Sequence, residues 1–211
     1  IKDLLFDSRL LISPESTLFF ALRGQRNDGN KYIEELYTKG VKAFVVDKNT
    51  LLEELAPYDK ATFIVVDDTL KALQKIAAYH RKKFDIPIIG ITGSNGKTII
   101  KEWLYQILSP ELSVIRSPKS YNSQIGVPLS VWQLDETHQI GIFEAGISRP
   151  KEMHNLEEII QPKIGIFSNI GAAHGKNFDS IENKIEEKLR LFKDVDTLIY
   201  CLDHKEIKEA V

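Results

Sequence analysis

"PIIGITGSNGKTIIKEWLYQIL", residues 87–108, decides how the rest of the chain is read. β-Branched and apolar residues lead up to the glycines, and beyond Lys97 apolar side chains recur at helical spacing through Ile100, Trp103, Leu104, Ile107 and Leu108. The stretch predicts strand, tight turn, helix. Glycines in such a turn let backbone N–H groups approach an anion, and the helix N-terminus adds partial positive charge. The full phosphate-loop pattern G-x-x-x-x-G-K-[ST] is not met, because Ile91 holds the place of the first glycine and Gly90 stands one position early. What stands is Thr92-Gly93-Ser94-Asn95-Gly96-Lys97-Thr98, the part with a mechanism. Lys97 suits the β- and γ-phosphates of a nucleotide, and the Thr98 hydroxyl suits Mg²⁺. The competing reading is a glycine-rich turn whose lysine is merely solvated.

Downstream, apolar runs recur at Ser113–Arg116, Gln139–Glu144, Lys163–Asn169 and Thr197–Cys201, separated by helix-like stretches. Strands alternating with helices imply βαβ units and a mainly parallel sheet covered on both faces. Upstream, "LFFAL", "AFVV" and "TFIVV" alternate with helical patterns at Lys31–Lys39 and Thr69–Phe84, a smaller α/β unit. "RKKFDIP" breaks the pattern, since the fixed φ and missing donor of Pro87 suit a linker or the start of a strand. A domain boundary is placed near Asp85, giving domains 1–84 and 85–211. The fold class is α/β: a small N-terminal domain, then a phosphate-loop-type domain.

A net charge of -2, from 28 basic and 30 acidic residues, argues against a nucleic-acid partner, so any anion is bound locally. Cys201 is the only cysteine, which excludes an internal disulfide. No apolar run approaches the roughly 18 residues of a membrane span and no signal-type segment is present, so the expectation is no membrane insertion and a cytoplasmic location. The chain opens on Ile1 and ends on a pattern of strand running into helix. A piece of a longer protein is expected.

Bound Mg²⁺ needs carboxylate oxygen besides the loop. Glu144 ends the strand "IGIF", and strand C-terminal ends are where open parallel sheets build sites. Asn169 and His174 follow the next strand in "IGIFSNIGAAHGKNF". Taken alone, His174 reads as a loop histidine; His80, His138, His154 and His204 have no metal-ligand spacing and read as structural or surface. In 179–192, Ile181, Ile185, Leu189 and Phe192 define a buried helical face with Lys188 beside it. On spacing alone Lys188 reads as a surface lysine.

Five ordered segments, "ITGSNGKT" (91–98), "YNSQIGVPLS" (121–130), "FEAGISRPKEM" (143–153), "SNIGAAH" (168–174) and "EEKLRLF" (186–192), resemble the Mur ligases, ATP-dependent amino-acid-adding enzymes of bacterial peptidoglycan synthesis. Residues 6–46 resemble the uridine-nucleotide domain shared by the third- and fourth-step ligases. "EAGISRPKEM" is similar to the branch that adds D-Ala-D-Ala to UDP-MurNAc-tripeptide. The alternatives are the third-step, diamino-acid-adding branch and a non-catalytic nucleotide-binding module.

The resemblance implies ATP, with Mg²⁺ as two ions. It places Thr92, Gly93, Ser94, Asn95, Gly96, Lys97, Thr98 and Asn122 at the nucleotide, and Thr98, Glu144, His174 and Lys188 at the metals. Lys97, Asn122 and Lys188 would be the catalytic set. Lys188 matches a lysine that CO₂ carbamylates in many members. Asp7, Ser8, Arg9, Arg23, Gly24 and Asp28 match the uridine-nucleotide loops. Asn30 departs from the histidine common after Asp-Gly, and Arg190 stands where many relatives of this branch have glutamate. The family's C-terminal domain lies beyond residue 211, so this stretch alone is expected not to ligate.

Overall fold

Among the described residues every ladder between the named strands is parallel. That is the arrangement expected when strands alternate with helices that carry the chain back across the sheet. The computed structural model describes residues 1–24, 28–171 and 177–211. Contacts divide it into two units, Ile1–Leu73 and Gln74–Val211.

In the first unit β1 (Asp3–Leu5), β2 (Thr17–Phe20), β3 (Ala43–Asp47) and β4 (Thr62–Val66) lie in sequence order in one sheet. The short helix α1 (Ile33–Thr38) follows a 3-10 turn at Gly29–Tyr32, and α2 (Leu52–Leu55) joins β3 to β4. All four residues of β2 are buried, as a central parallel strand requires. Aromatic residues fill this small core: Phe19 meets Phe44 edge-on at 6.2 Å between centroids, and Phe44 stacks on Phe63 at 5.2 Å.

The division between the units falls inside α3 (Thr69–Arg81), upstream of the Asp85 chosen from sequence. "RKKFDIP" reads as a linker, yet its arginine is a fastener within the second unit. Arg81 is buried and donates to the carbonyls of Phe84, Ile86, Ile160 and Gln161 at 2.6, 3.4, 3.1 and 3.5 Å.

The second unit contains β5 (Ile88–Thr92), α4 (Lys97–Leu108), β6 (Val114–Arg116), α5 (Gly126–Val131), β7 (Ile140–Glu144), α6 (Glu152–Ile160), β8 (Ile164–Phe167), α7 (Ile181–Leu189), β9 (Thr197–Tyr200) and α8 (Lys205–Ala210). Its sheet order is β6-β7-β5-β8-β9. β5 is therefore central, and its five residues are buried. Alternation sends Ile89 and Ile91 towards Ile100, Leu104 and Leu108 of α4, while Ile88 joins the core beneath α5 and α6. Only one face of α4 is covered: Trp103 and Ile107, apolar at helical spacing, are exposed.

Bare backbone governs the opposite face. Gly90 and Gly165 are register partners on β5 and β8. A Cβ on Gly90 would come 2.9 Å from Pro162 Cβ, and one on Gly165 would come 2.6 Å from Phe192 Cδ1. Into that hollow the 3-10 turn Arg190–Phe192, continuing α7, places Leu191 and Phe192. The buried face of α7 consequently differs from the apolar stripe read from sequence. Ile185 is fully buried but Ile181 is 45% exposed, while Lys184, Glu187 and Lys188 are turned inward.

Candidate active site

The loop after β5 has the backbone its glycines predict. Gly93 has φ +142° and Gly96 φ +81°, both costly for an L side chain. Gly96 caps α4 without a side-chain acceptor, so the amides of the first helical turn are left for an external anion. The loop is stitched to the end of β8. Ser94 N donates to Asn169 O at 2.9 Å, Asn95 N to Asn169 Oδ1 at 2.9 Å, and Ser168 Oγ to Asn95 O at 2.6 Å. Ser94 Oγ accepts from Gly171 N at 3.0 Å. Thr92 is fully buried and its hydroxyl donates to Ala145 O at 2.8 Å, tying the loop to the end of β7.

Around this loop the amines are drawn out of water. Lys97 Nζ donates to Gly93 O at 2.8 Å. Lys188, 3% exposed, donates to the same oxygen at 3.1 Å. Desolvation, reinforced by the charges of Lys97 and Lys184, brings the Lys188 amine down to about 7. Lys97 is lowered as well, first by desolvation, with Glu144 opposing and Lys184 adding to the effect. Lys184 Nζ donates to Gly171 O at 2.6 Å, and burial lowers it too. The surface reading of Lys188 gives way because Phe192, seated on Gly165, draws the end of α7 against the sheet.

Glu144 is fully buried at the tip of β7, next to β5. Its Oε2 accepts from Thr98 Oγ1 at 3.1 Å and from Asn122 Nδ2 at 3.3 Å. Thr98, Asn122 and Glu144, far apart in sequence, thus share one oxygen. Asn122 packs against Gly146, where a Cβ would meet its Oδ1 at 2.8 Å. Among the described residues Oε1 of Glu144 has no hydrogen-bond partner, although Lys101 Nζ lies 3.0 Å away. That distance is an ion pair outside hydrogen-bond geometry. A buried carboxylate whose Oε2 meets both a side-chain amide and the hydroxyl of Thr98, at a phosphate-loop position, is a hard-oxygen donor set that fits Mg²⁺.

His174 lies outside the described residues. Among the described residues, no cluster of three or more His, Cys, Asp or Glu forms a metal site, and His80 instead contacts Leu134 O at 2.8 Å and packs on Trp132. Sequence reasoning missed Lys101, Ser168 and Lys184. Lys101 stands one turn after Lys97 on α4, a spacing that in retrospect marks a shared face.

The uridine-loop candidates lie in the first unit, after the C-terminal ends of β1 and β2. Asp7 caps a 3-10 turn and holds Arg9 through Nε at 2.8 Å, and that hydrogen bond keeps the Asp7 carboxyl below its ordinary range. Ser8 donates to Glu35 Oε2 at 3.3 Å. Arg23 Nε lies 3.2 Å from Asp28 Oδ2 and 3.4 Å from Asp47 Oδ2, with Gly24 next in the chain. Asp47, at the end of β3, carried no signal in the sequence. Asn30, the departure from the family pattern, donates to Thr50 Oγ1 at 3.2 Å.

Two family models match the chain: the Mur ligase middle domain over residues 91–211, and the Mur ligase family catalytic domain over 11–81. Among curated proteins, the chain is 38% identical over 192 residues to a UDP-N-acetylmuramoyl-tripeptide--D-alanyl-D-alanine ligase of Treponema pallidum, covering 89% of this chain and 41% of the relative. It is 33% identical to the Bacillus subtilis protein of the same name, covering 92% and 42%. Of solved structures, MurF from Acinetobacter baumannii aligns with a TM-score of 0.85 at 27% identity, over 100% of this chain and 46% of that one. MurF ligase from Thermotoga maritima in complex with ADP aligns at 0.84 and 27%, over 99% and 47%. The chain spans about two fifths of the length of the curated relatives it matches.

Proposed function

The chain belongs to the Mur ligase family, and from that premise we propose that the protein is an ATP-dependent amide ligase of the MurF type, joining D-Ala-D-Ala to UDP-MurNAc-tripeptide in the cytoplasm. In this reaction the tripeptide's terminal carboxylate attacks the γ-phosphorus of ATP and ADP leaves. The dipeptide amine then attacks the acyl carbon, phosphate leaves, and the amine gives up a proton.

The observation that carries this reading is the meeting of Thr98 and Asn122 on one oxygen of buried Glu144, at the mouth of a glycine loop. The loop amides and Lys97 would receive the nucleotide phosphates. Lys97 reaches them by exchanging its bond to Gly93 O for a phosphate oxygen. Thr98 and Glu144 would hold one Mg²⁺, which when bound supplies charge neutralisation for a carboxylate approaching a polyanion. The Thr92 side chain, committed to Ala145, supports the loop and leaves phosphate contact to the backbone.

A second ion falls to His174 and Lys188. An amine near neutrality is free of its proton often enough at pH 7 to capture CO₂, and a carbamate there would turn a lysine into an anionic oxygen ligand. Residues 1–84 would bind the uridine nucleotide through Asp7, Ser8, Arg9, Arg23, Gly24 and Asp28, and residues 85–211 would bind ATP. The partners are the two small-molecule substrates. Among the described residues no helix is long and apolar enough to cross a membrane.

The test is Mg²⁺-dependent ADP release by the protein in its full length, with UDP-MurNAc-tripeptide and with or without D-Ala-D-Ala. Release that requires the dipeptide supports the MurF assignment. Release driven instead by a diamino acid would place the protein with the third-step ligases, and no release with any muramyl acceptor would reduce it to a binding module.

A further inference from the structure

Lys101 lies on α4 and is fully buried, as is its partner Glu144. Placing an ammonium and a carboxylate together out of water costs several kcal/mol per ion unless each is well partnered. A leucine would fill the same helix position without that cost. The ammonium is partnered on its far side by main chain: Nζ donates to Ser117 O at 2.8 Å and also to Lys119 O. Glu102 Oε1 is 3.1 Å away. Lys119 has φ +49°, a left-handed backbone in a non-glycine residue, and its carbonyl is one of the two acceptors. The ammonium is thus fixed by groups other than Glu144.

We propose that Lys101 is a positioning residue for the metal-binding carboxylate. Anchored on the segment after β6, it pins Oε1 of Glu144, so that Oε2 is presented to Thr98, Asn122 and the cation. This inference rests on the proposed role of Glu144 in holding Mg²⁺. Two effects of removing Lys101 oppose each other. Loss of a positive charge alone would tighten a nearby cation, whereas release of the carboxylate from its set rotamer weakens it. The sign of the change therefore separates a positioning role from a background charge.

Mn²⁺ is the probe, titrated by electron paramagnetic resonance into the full-length protein with an ATP analogue, for wild type, Lys101→Met, Glu144→Gln and the double variant. Each melting curve is recorded alongside. The expected result is Mn²⁺ affinity at least tenfold weaker in Lys101→Met, unchanged metal-free nucleotide affinity, and a double variant no weaker than Glu144→Gln alone. Unchanged or tighter Mn²⁺ binding in folded Lys101→Met overturns the inference. Equal Mn²⁺ affinity in wild type and Glu144→Gln overturns instead the reading of Glu144 as a ligand. Should Lys101→Met not fold, the ¹⁵N resonance of the Lys101 ammonium in the wild type decides. A shift on adding Mg²⁺ with nucleotide, absent in Glu144→Gln, supports positioning, and a resonance indifferent to the metal refutes it.

Discussion

Lys97 and Lys188 donate to one acceptor, the carbonyl oxygen of Gly93, at 2.8 and 3.1 Å. Two amines that repel each other are gathered where water is scarce, and a single main-chain dipole sits between them. An arriving anion would relieve that arrangement, and so would loss of a proton from the more buried amine.

Lys188 makes stability depend on pH in a predictable direction. Folded, its pKa is about 7, against 10.5 for an ordinary lysine. Between those values the unfolded chain binds more protons than the folded one, so this group's contribution to stability rises with pH across the window. Below about 7 both states are protonated and the full penalty is present, at most about 5 kcal/mol with each pKa unit worth about 1.4. Lys188→Met is expected to be more stable than wild type at pH 6, with the difference shrinking towards pH 10. Urea midpoints at pH 6, 8 and 10 check it; a difference that grows with pH refutes it.

Lys97→Ala removes a side chain that, at the start of α4, is placed to leave Gly93 O for a phosphate. By analogy with losing a preorganised oxyanion donor, the expected cost is about 3 kcal/mol or more of transition-state stabilisation, upwards of a hundredfold in turnover. Steady-state phosphate release by the full-length variant measures it, and near-normal turnover would remove Lys97 from the mechanism.

The two loop glycines are expected to respond unequally to alanine. At Gly93 a Cβ would stand 2.0 Å from Ser168 Oγ and 3.0 Å from both N and O of Asn169, at φ +142°. At Gly96 nothing lies within 4 Å and only φ +81° is unfavourable. Gly96→Ala should cost about 1 kcal/mol, and Gly93→Ala at least twice that, with loss of nucleotide binding. Denaturant titrations of both variants, with a nucleotide-binding assay, test the order.

Arg81→Met is expected to destabilise the second unit by about 3 kcal/mol or more, since it strips a buried donor from four carbonyls. Trp103 and Trp132 both belong to that unit, so a fluorescence-detected urea curve reads it directly. A midpoint within experimental error of wild type would make the guanidinium contacts dispensable.

The centre of the second unit was legible because its signals are local. β-Branched residues before a Gly-rich turn and apolar spacing after it are properties of neighbours in sequence, and β5 and α4 follow. Glu144 was found by a rule about strand ends, which needs only the order of elements. Lys101 and the depth of Lys188 escaped for the opposite reason. A lysine in a Glu/Lys-rich helix is polar by composition, and only the sheet beneath it, through Gly165 and Phe192, decides that it points inward. The role of Arg81 is not legible for the same reason, because the carbonyls that hold it belong to α6 and its C-terminal cap as well as to its own segment. In the first unit the Asp7 and Arg23 loops are expected from their motifs alone, whereas Asp47, an unremarkable strand-end aspartate in sequence, comes into view only through its distance to Arg23.

The glycines of β5 and β8 constrain how such a sequence can drift. Because Phe192 rests on Gly165, a methyl group added there lifts the carboxyl end of α7, and Lys188 with it, whereas one added at Gly90 presses on Pro162 after α6. These positions can change only as a size-matched set. A search for second-site suppressors of Gly165→Ala should therefore return smaller side chains at position 192, far along the chain, and leave the phosphate loop untouched.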